Sequence, residues 1–214
     1  RELIRNKGAA RSHIEILEAL LKLRQTCCHP QLVKMDSARK VLESAKTEQL
    51  LDMLIELIAE EKKILLFSQY TEMLKLISAE LDKLGIRYVT LTGSTRKRDE
   101  VIDSFQNGDV PLFLISLKAG GTGLNLTAAD TVIHYDPWWN PAVEKQASDR
   151  AHRIGQQKPV FVYKLVARDT VEEKIMLMQQ RKQQLADSTY NHDESADPFR
   201  KLSDEDMLAL FEFA

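Results

Sequence analysis

The chain has 214 residues, 43% of them hydrophobic and 29% charged, with a formal net charge of −2. That is enough apolar material for one sizeable α/β domain with helical additions, while no apolar run approaches the roughly 18 residues that a bilayer-crossing helix needs. Arg1 to Lys7 carry no secretory apolar stretch, and the only cysteines, Cys27 and Cys28, are adjacent, poor geometry for a disulfide and without zinc-ligand spacing. The expectation is a soluble globular protein with reduced thiols, inside the cell and without a membrane partner. Its average charge points to no nucleic-acid binder, yet seven acids and two bases lie from Tyr190 onward, leaving 28 bases against 25 acids before it. Such a mildly basic body permits contact with phosphates without requiring it.

In chain order, Ile14, Leu17, Leu20, Leu21 and Arg24 recur at helical spacing and predict a first helix that ends near Cys28, where His29-Pro30 stops it. A second amphipathic helix is predicted over 46–60, with Leu50, Leu51, Leu54, Leu57 and Ile58 as its stripe. Strands and helices then alternate: strand 63–67, helix 71–84 closed by Gly85, strand 86–91, helix 98–106, strand 112–116 and strand 131–135. Asn140-Pro141 supplies an N-cap and a first-turn proline for another helix, and strand 160–166 follows. The strands are continuous apolar runs, which predicts a parallel sheet covered by helices on both faces. Right-handed crossovers place Ser68, Thr92 and Ser116 along one sheet edge, where ligands gather.

A long helix over 170–187 opens with the capping-box pattern Thr170-x-x-Glu173. Residues 188–198 are polar and acidic and read as a loop. Ser203-Asp-Glu-Asp206 then caps a short helix carrying Leu208, Leu210, Phe211 and Phe213. The domain reading is a helical lead-in over 1–45, an α/β lobe over 46–168, a long helix over 169–188, and an acidic linker with a short helix over 189–214.

Two stretches carry the chemistry. Ser116-Leu-Lys-Ala-Gly-Gly-Thr-Gly-Leu-Asn-Leu-Thr127 follows a strand, and its glycines permit close backbone approach to phosphate or ribose. In Gln146-Ala-Ser-Asp-Arg-Ala-His-Arg-Ile-Gly-Gln156, helical spacing puts Gln146, Arg150 and Arg153 on one face, two guanidinium groups aimed together at a phosphate. Arg96-Lys97-Arg98 places cations at a helix start, where they are disfavoured unless an anion is near. His134 and His152 read as core or supporting groups, because no ligand set surrounds them at metal spacing.

The ordered blocks Leu23-Arg-Gln-Thr-Cys-Cys-His-Pro30, Ile64-Leu-Leu-Phe-Ser-Gln-Tyr70, Leu91-Thr-Gly-Ser-Thr-Arg-Lys-Arg98 with Phe105, the glycine-rich stretch, Asp130-Thr-Val-Ile-His-Tyr-Asp-Pro-Trp-Trp-Asn-Pro141 and the arginine segment resemble the C-terminal RecA-like lobe of a Swi/Snf-family DNA translocase of helicase superfamily two. The resemblance covers about residues 23–185. It implies arginine fingers at Arg150 and Arg153, with Gly121, Gly123, Gln146 and Asp149 toward the nucleotide. It further implies DNA contact by Ser68, Gln69, Arg98, Ser116, Lys118 and Trp139, and a brace role for the long helix. Trp138 fits a core or staple position, and the doubled tryptophan leaves open which indole faces DNA.

No Gly-Lys-Thr/Ser phosphate loop and no Asp-Glu-x-His-type sequence occurs here. The chain therefore reads as the second half of a longer polypeptide, inactive as an ATPase by itself, with ATP and Mg²⁺ held mainly by an N-terminal RecA-like lobe. The expected partners are that lobe, double-stranded DNA and a DNA-bound protein such as RNA polymerase or a nucleosome. The absence of a long insertion and of a basic targeting run favours a cytoplasmic, bacterial nucleoid motor over a nuclear one. The rival readings are an RNA or single-strand helicase lobe and a non-catalytic, protein-recruiting module.

Overall fold

The computed structural model describes residues 9–120, 124–138, 140–151 and 158–188. They fall into two compact units, one over Glu43–Val166, the other made of the described residues up to Leu42 and from Ala167 on.

The Glu43–Val166 unit is built on a five-stranded parallel sheet. Its strands are β1 (Ile64–Ser68), β2 (Tyr88–Leu91), β3 (Leu112–Ser116), β4 (Thr131–His134) and β5 (Phe161–Lys164). They lie in the order β2-β3-β1-β4-β5. The register pairs Ser68 with Ser116 and Phe67 with His134, so the C-terminal ends of β1, β3 and β4 stand level. β1, β3 and β4 are buried throughout, as continuous apolar runs predict for central parallel strands. The two edge strands differ from the expectation of cover on both faces. β2 is half-buried over Tyr88–Thr90, and β5 is exposed along its length, since an edge strand has a neighbour on one side only.

Three helices of this unit owe their ends to local chemistry. In α3 (Ala45–Ala59) the Ser44 hydroxyl accepts from the Thr47 amide, and Leu50, Leu54 and Leu57 are buried at helical spacing. α4 (Thr71–Lys83) buries Met73, Leu74, Ile77 and Leu81. It closes on Gly85 at φ +66, with the Ile86 amide returning to the Leu81 carbonyl at 3.0 Å, the left-handed stop that glycine favours. α7 (Pro141–Ser148) begins as its sequence predicts, with the Asn140 side chain accepting from the Ala142 amide at 3.0 Å. Between them lie α5 (Arg98–Gln106) and the short α6 (Leu117–Gly120).

The core joins Leu65, Phe67, Phe105, Phe113, Ile115 and Val132. At the sheet's N-terminal edge the Lys63 ammonium donates to the carbonyls of Phe105 (3.0 Å), Gly108 (2.6 Å) and Val110 (3.0 Å), closing the orphan carbonyls after α5. Burial holds its pKa below the ordinary lysine value, against the attraction of Asp109.

In the other unit α1 (Ala9–Cys28) and α8 (Val171–Ser188) pack together, with a 3₁₀ turn at Pro30–Leu32 and the short α2 (Asp36–Arg39). Of the predicted α1 stripe, Leu20 and Arg24 are buried, whereas Ile14 and Leu21 are exposed. Cys27 and Cys28 are not joined in a disulfide, and Cys28 Sγ lies 3.8 Å from Glu172 Oε1. The cap of α8 closes one residue earlier than the box pattern implies. Thr170 Oγ1 accepts from the Glu172 amide (3.2 Å), and Glu173 reaches back to the amide of Asp169 (2.9 Å), which sits at φ 57. The predicted loop 188–198 and the terminal helix fall almost wholly outside the described residues.

Candidate nucleic-acid interface

The C-terminal edge of the sheet gathers the predicted Ser68, Gln69, Ser116 and Lys118, and it adds a residue that spacing did not single out. Asp136, just beyond β4, is 1% exposed, and its Oδ1 accepts a 2.5 Å hydrogen bond from Ser68 Oγ. The Gln69 amide lies 3.3 and 3.2 Å from the two Asp136 carboxylate oxygens, while Ser68 Oγ accepts from the Tyr70 amide at 3.1 Å. Ser68 is thus fully buried and spent on bracing its own loop, not displayed toward a ligand. Ser116, its register partner, is 3% exposed, and its hydroxyl has no hydrogen-bond partner among the described residues. Lys118 is exposed on α6.

Beside this edge, a groove of about 440 Å³ opens between α4 and the turn after β2, lined by Thr71, Lys75, Ser78, Thr90, Thr92 and Gly93 among others. The Thr92 amide donates to Thr95 Oγ1 at 2.9 Å, so the turn is held by its own hydroxyls. Of these residues only Thr92 is placed at the edge by the strand pattern. The side chains of Thr71 and Lys75 reach it because α4 starts directly after the braced loop.

Arg98, expected to contact phosphate, has a contact within the fold. It is half-buried, and Nη2 donates to the Ala119 carbonyl at 3.1 Å, so the guanidinium supports the end of α6 next to the glycine-rich turn. Gly120 stands where a Cβ would come within 3.0 Å of Phe67 Cε1 and 3.4 Å of Ile115 Cγ2, which explains a glycine there. Gly121 and Gly123 lie outside the described residues.

The arginine segment also departs from its predicted geometry. α7 stops at Ser148 with Asp149 as its C-cap, and the amides of Arg150 and Ala151 bond back three residues, to Ala147 (3.2 Å) and Ser148 (3.1 Å). That tightening to 3₁₀-type turns takes Arg150 out of α-helical register. Gln146 is exposed and Arg150 is 4% exposed, so they do not share an outward face. Asp149 is exposed at the helix end. Arg153 and His152 lie outside the described residues, as does Trp139.

α7 is fastened to the sheet at two points. Glu144, 2% exposed, accepts from the Trp138 amide at 2.6 Å through Oε1 and pairs with Lys164 of β5 through Oε2. Trp138 is half-buried against the core, consistent with its structural reading. His134 stacks on Phe67 with ring centroids 5.6 Å apart, and its Nε2 lies 3.0 Å from Ser148 Oγ. The Ser148 hydroxyl also lies 3.1 Å from the Glu144 carbonyl. Burial, aided by the nearby Lys164 charge, holds the His134 pKa down to about 4.

Asp136 and Glu144 had one sequence signal between them. Each is an acid inside or beside an apolar-aromatic stretch, a place where a carboxylate survives only with donors around it. Among the described residues, no group of three His, Cys, Asp or Glu side chains is placed to hold a metal ion. Gln146, Asp149 and the buried Arg150 do not by themselves form a nucleotide pocket. The part of the site that is built within the described residues is the C-terminal edge of the sheet.

The helicase conserved C-terminal domain family matches residues 45–155. The chain is 42% identical over 206 residues to an uncharacterized ATP-dependent helicase of Mycoplasma pneumoniae, covering 94% of this chain and 19% of that protein. It is 41% identical over 201 residues to the putative ATP-dependent helicase/translocase YwqA of Bacillus subtilis, covering 92% and 22%. The chain thus spans about a fifth of the length of these curated relatives. Among solved structures, the C-terminal domain of the Sulfolobus solfataricus SWI2/SNF2 ATPase superposes with a TM-score of 0.75 at 32% identity, covering all of this chain and 89% of that one. The core of the same ATPase in complex with double-stranded DNA superposes with a TM-score of 0.77 at 34% identity, covering 99% and 44%. A parallel RecA-like sheet, its ordered edge loops and these matches agree: the chain belongs to the helicase C-terminal domain family, as the C-terminal lobe of the SWI2/SNF2 type.

Proposed function

We propose that this chain is the second motor lobe of an ATP-dependent translocase that moves along double-stranded DNA. The observation that carries the reading is the edge itself. The loops after β1 and β2 and the α6 segment, with Gln69, Thr92 and Lys118, converge at one end of the sheet beside a groove of about 440 Å³ whose rim carries Thr71, Lys75, Thr92 and Ser94. Backbone amides, hydroxyls and a lysine are the groups that grip phosphates without reading bases. The likeness to a SWI2/SNF2 core solved with duplex DNA supports this choice of ligand. Ser116 and Lys118 lie beside the backbone path, and Ser68 and Arg98 shape it from behind.

ATP, bound with Mg²⁺ mainly by an N-terminal lobe, supplies the energy of the cycle. Arg150 and Arg153 complete that pocket from this side and stabilise the charge that develops on the transferred phosphoryl group. Gly121, Gly123, Gln146 and Asp149 are the residues proposed to serve the nucleotide. The experiment is steady-state hydrolysis by the full-length polypeptide with duplex DNA, single-stranded DNA and RNA. Stimulation by duplex above the other two supports the translocase. Preference for RNA or single strands favours the helicase reading, and no hydrolysis with any of them favours a protein-recruiting module.

A further inference from the structure

We infer that Asp136 is a positioning residue: its carboxylate latches the β1–α4 loop to the β4–α7 loop, so that the two loops meet the DNA backbone as one rigid edge. The inference rests on the duplex-DNA reading above and names the group that sets the shape of that interface.

β1 and β4 are neighbours, and the Tyr135 amide extends their pairing by donating to the Phe67 carbonyl at 2.9 Å. Beyond that bond the two loops leave β1 and β4 side by side. Asp136 joins them there. One oxygen takes the Ser68 hydroxyl at 2.5 Å, and both oxygens face the Gln69 amide at 3.3 and 3.2 Å. Ser68 passes the restraint on by accepting from the Tyr70 amide, so three successive residues are fixed by one buried carboxylate.

A carboxylate is suited to this place because it only accepts, and hydrogen bonds to a charged acceptor are stronger than neutral ones. An asparagine would turn an NH₂ toward donors. The latched residues lead straight into α4, whose first turns supply Thr71 and Lys75 to the groove. On the other side, Asp136 is followed by the turn that the Glu144–Trp138 bond fastens to α7. The Gln69 Nε2 is buried without a hydrogen-bond partner among the described residues. Asp136 is thus a buried anchor of the β1–α4 loop backbone.

The test uses the full-length polypeptide and a duplex-DNA titration of its hydrolysis rate, which separates the half-saturating DNA concentration from the maximal rate. Asp136→Asn is expected to raise the half-saturating concentration about tenfold with the maximal rate within about twofold, and Ser68→Ala to raise it about threefold. Because both act through one latch, the double variant is expected to match Asp136→Asn alone. An unchanged half-saturation in Asp136→Asn, or effects that multiply, overturns the inference. Should Asp136→Asn not fold, hydrogen exchange in Ser68→Ala decides. Faster exchange at Gln69 and Tyr70 with the sheet still protected supports the latch, and unchanged exchange there refutes it. If parental hydrolysis ignores DNA, the functional reading fails, and amide exchange alone judges the latch.

Discussion

The Leu126 amide donates to the Arg150 carbonyl at 3.1 Å. This bond ties the segment after the glycine-rich turn to the tight turns after α7, so the backbone around Arg150 is set by a residue from a different block of the sequence. The buried guanidinium is thereby carried on a fixed backbone support.

Replacing Arg150 tests the arginine-finger role proposed above. In the full-length polypeptide, Arg150→Ala is expected to lower the maximal DNA-stimulated hydrolysis rate by about 10³ or more, with the half-saturating DNA concentration nearly unchanged. Arg150→Lys is expected to recover little, because a lysine lacks the planar fork. Parental rates in either variant would refute the role.

His134 predicts acid sensitivity of the fold. Its folded pKa of about 4 lies below the ordinary value of 6.5, so the unfolded chain takes up a proton that the folded chain refuses. Its contribution is fully present above about pH 6.5 and is lost as pH falls toward 4, on the order of 3 kcal/mol across that window. His134→Gln is expected to flatten the loss between pH 7 and 5 measured by urea unfolding. An unaltered pH slope would sink the assignment.

Gly120→Ala is expected to destabilise the chain by about 1–3 kcal/mol, because its methyl group meets Phe67 and Ile115 in a filled core. Thermal unfolding checks this. A companion Phe67→Leu change is expected to recover part of the loss by vacating the ring edge.

Glu144→Ala leaves the Trp138 amide without its acceptor and Lys164 without its anion, at a cost of roughly 3 kcal/mol. Glu144→Gln keeps an acceptor oxygen and is expected to cost about half as much. Equal losses in the two variants, measured by urea unfolding, would show that charge, not the hydrogen bond, fastens α7.

Much of the fold was legible in the sequence. The helix over 98–106 and the strand over 112–116 have the ends that their residues predict, and Gly85 and Asn140-Pro141 stop and start helices where local backbone chemistry requires it. The candidate site was legible only as a set of blocks. Ser68 and Arg98 were expected to face a ligand. In the fold the hydroxyl turns to Asp136 and the guanidinium to the Ala119 carbonyl, and neither partner is near in sequence. The shared face of Gln146 and Arg150 failed for a related reason. Helical spacing assumes a continuing α-helix, and α7 tightens before Arg150, whose carbonyl then meets Leu126.

By itself the sequence determined the order of strands and helices, the caps and the family, because propensity, apolar period and capping act among residues a few positions apart. The tertiary structure alone decided which polar side chains support the edge and which can meet a ligand. That choice depends on donors and acceptors brought together by parallel strands whose connections run through whole helices, and no spacing along the chain encodes it.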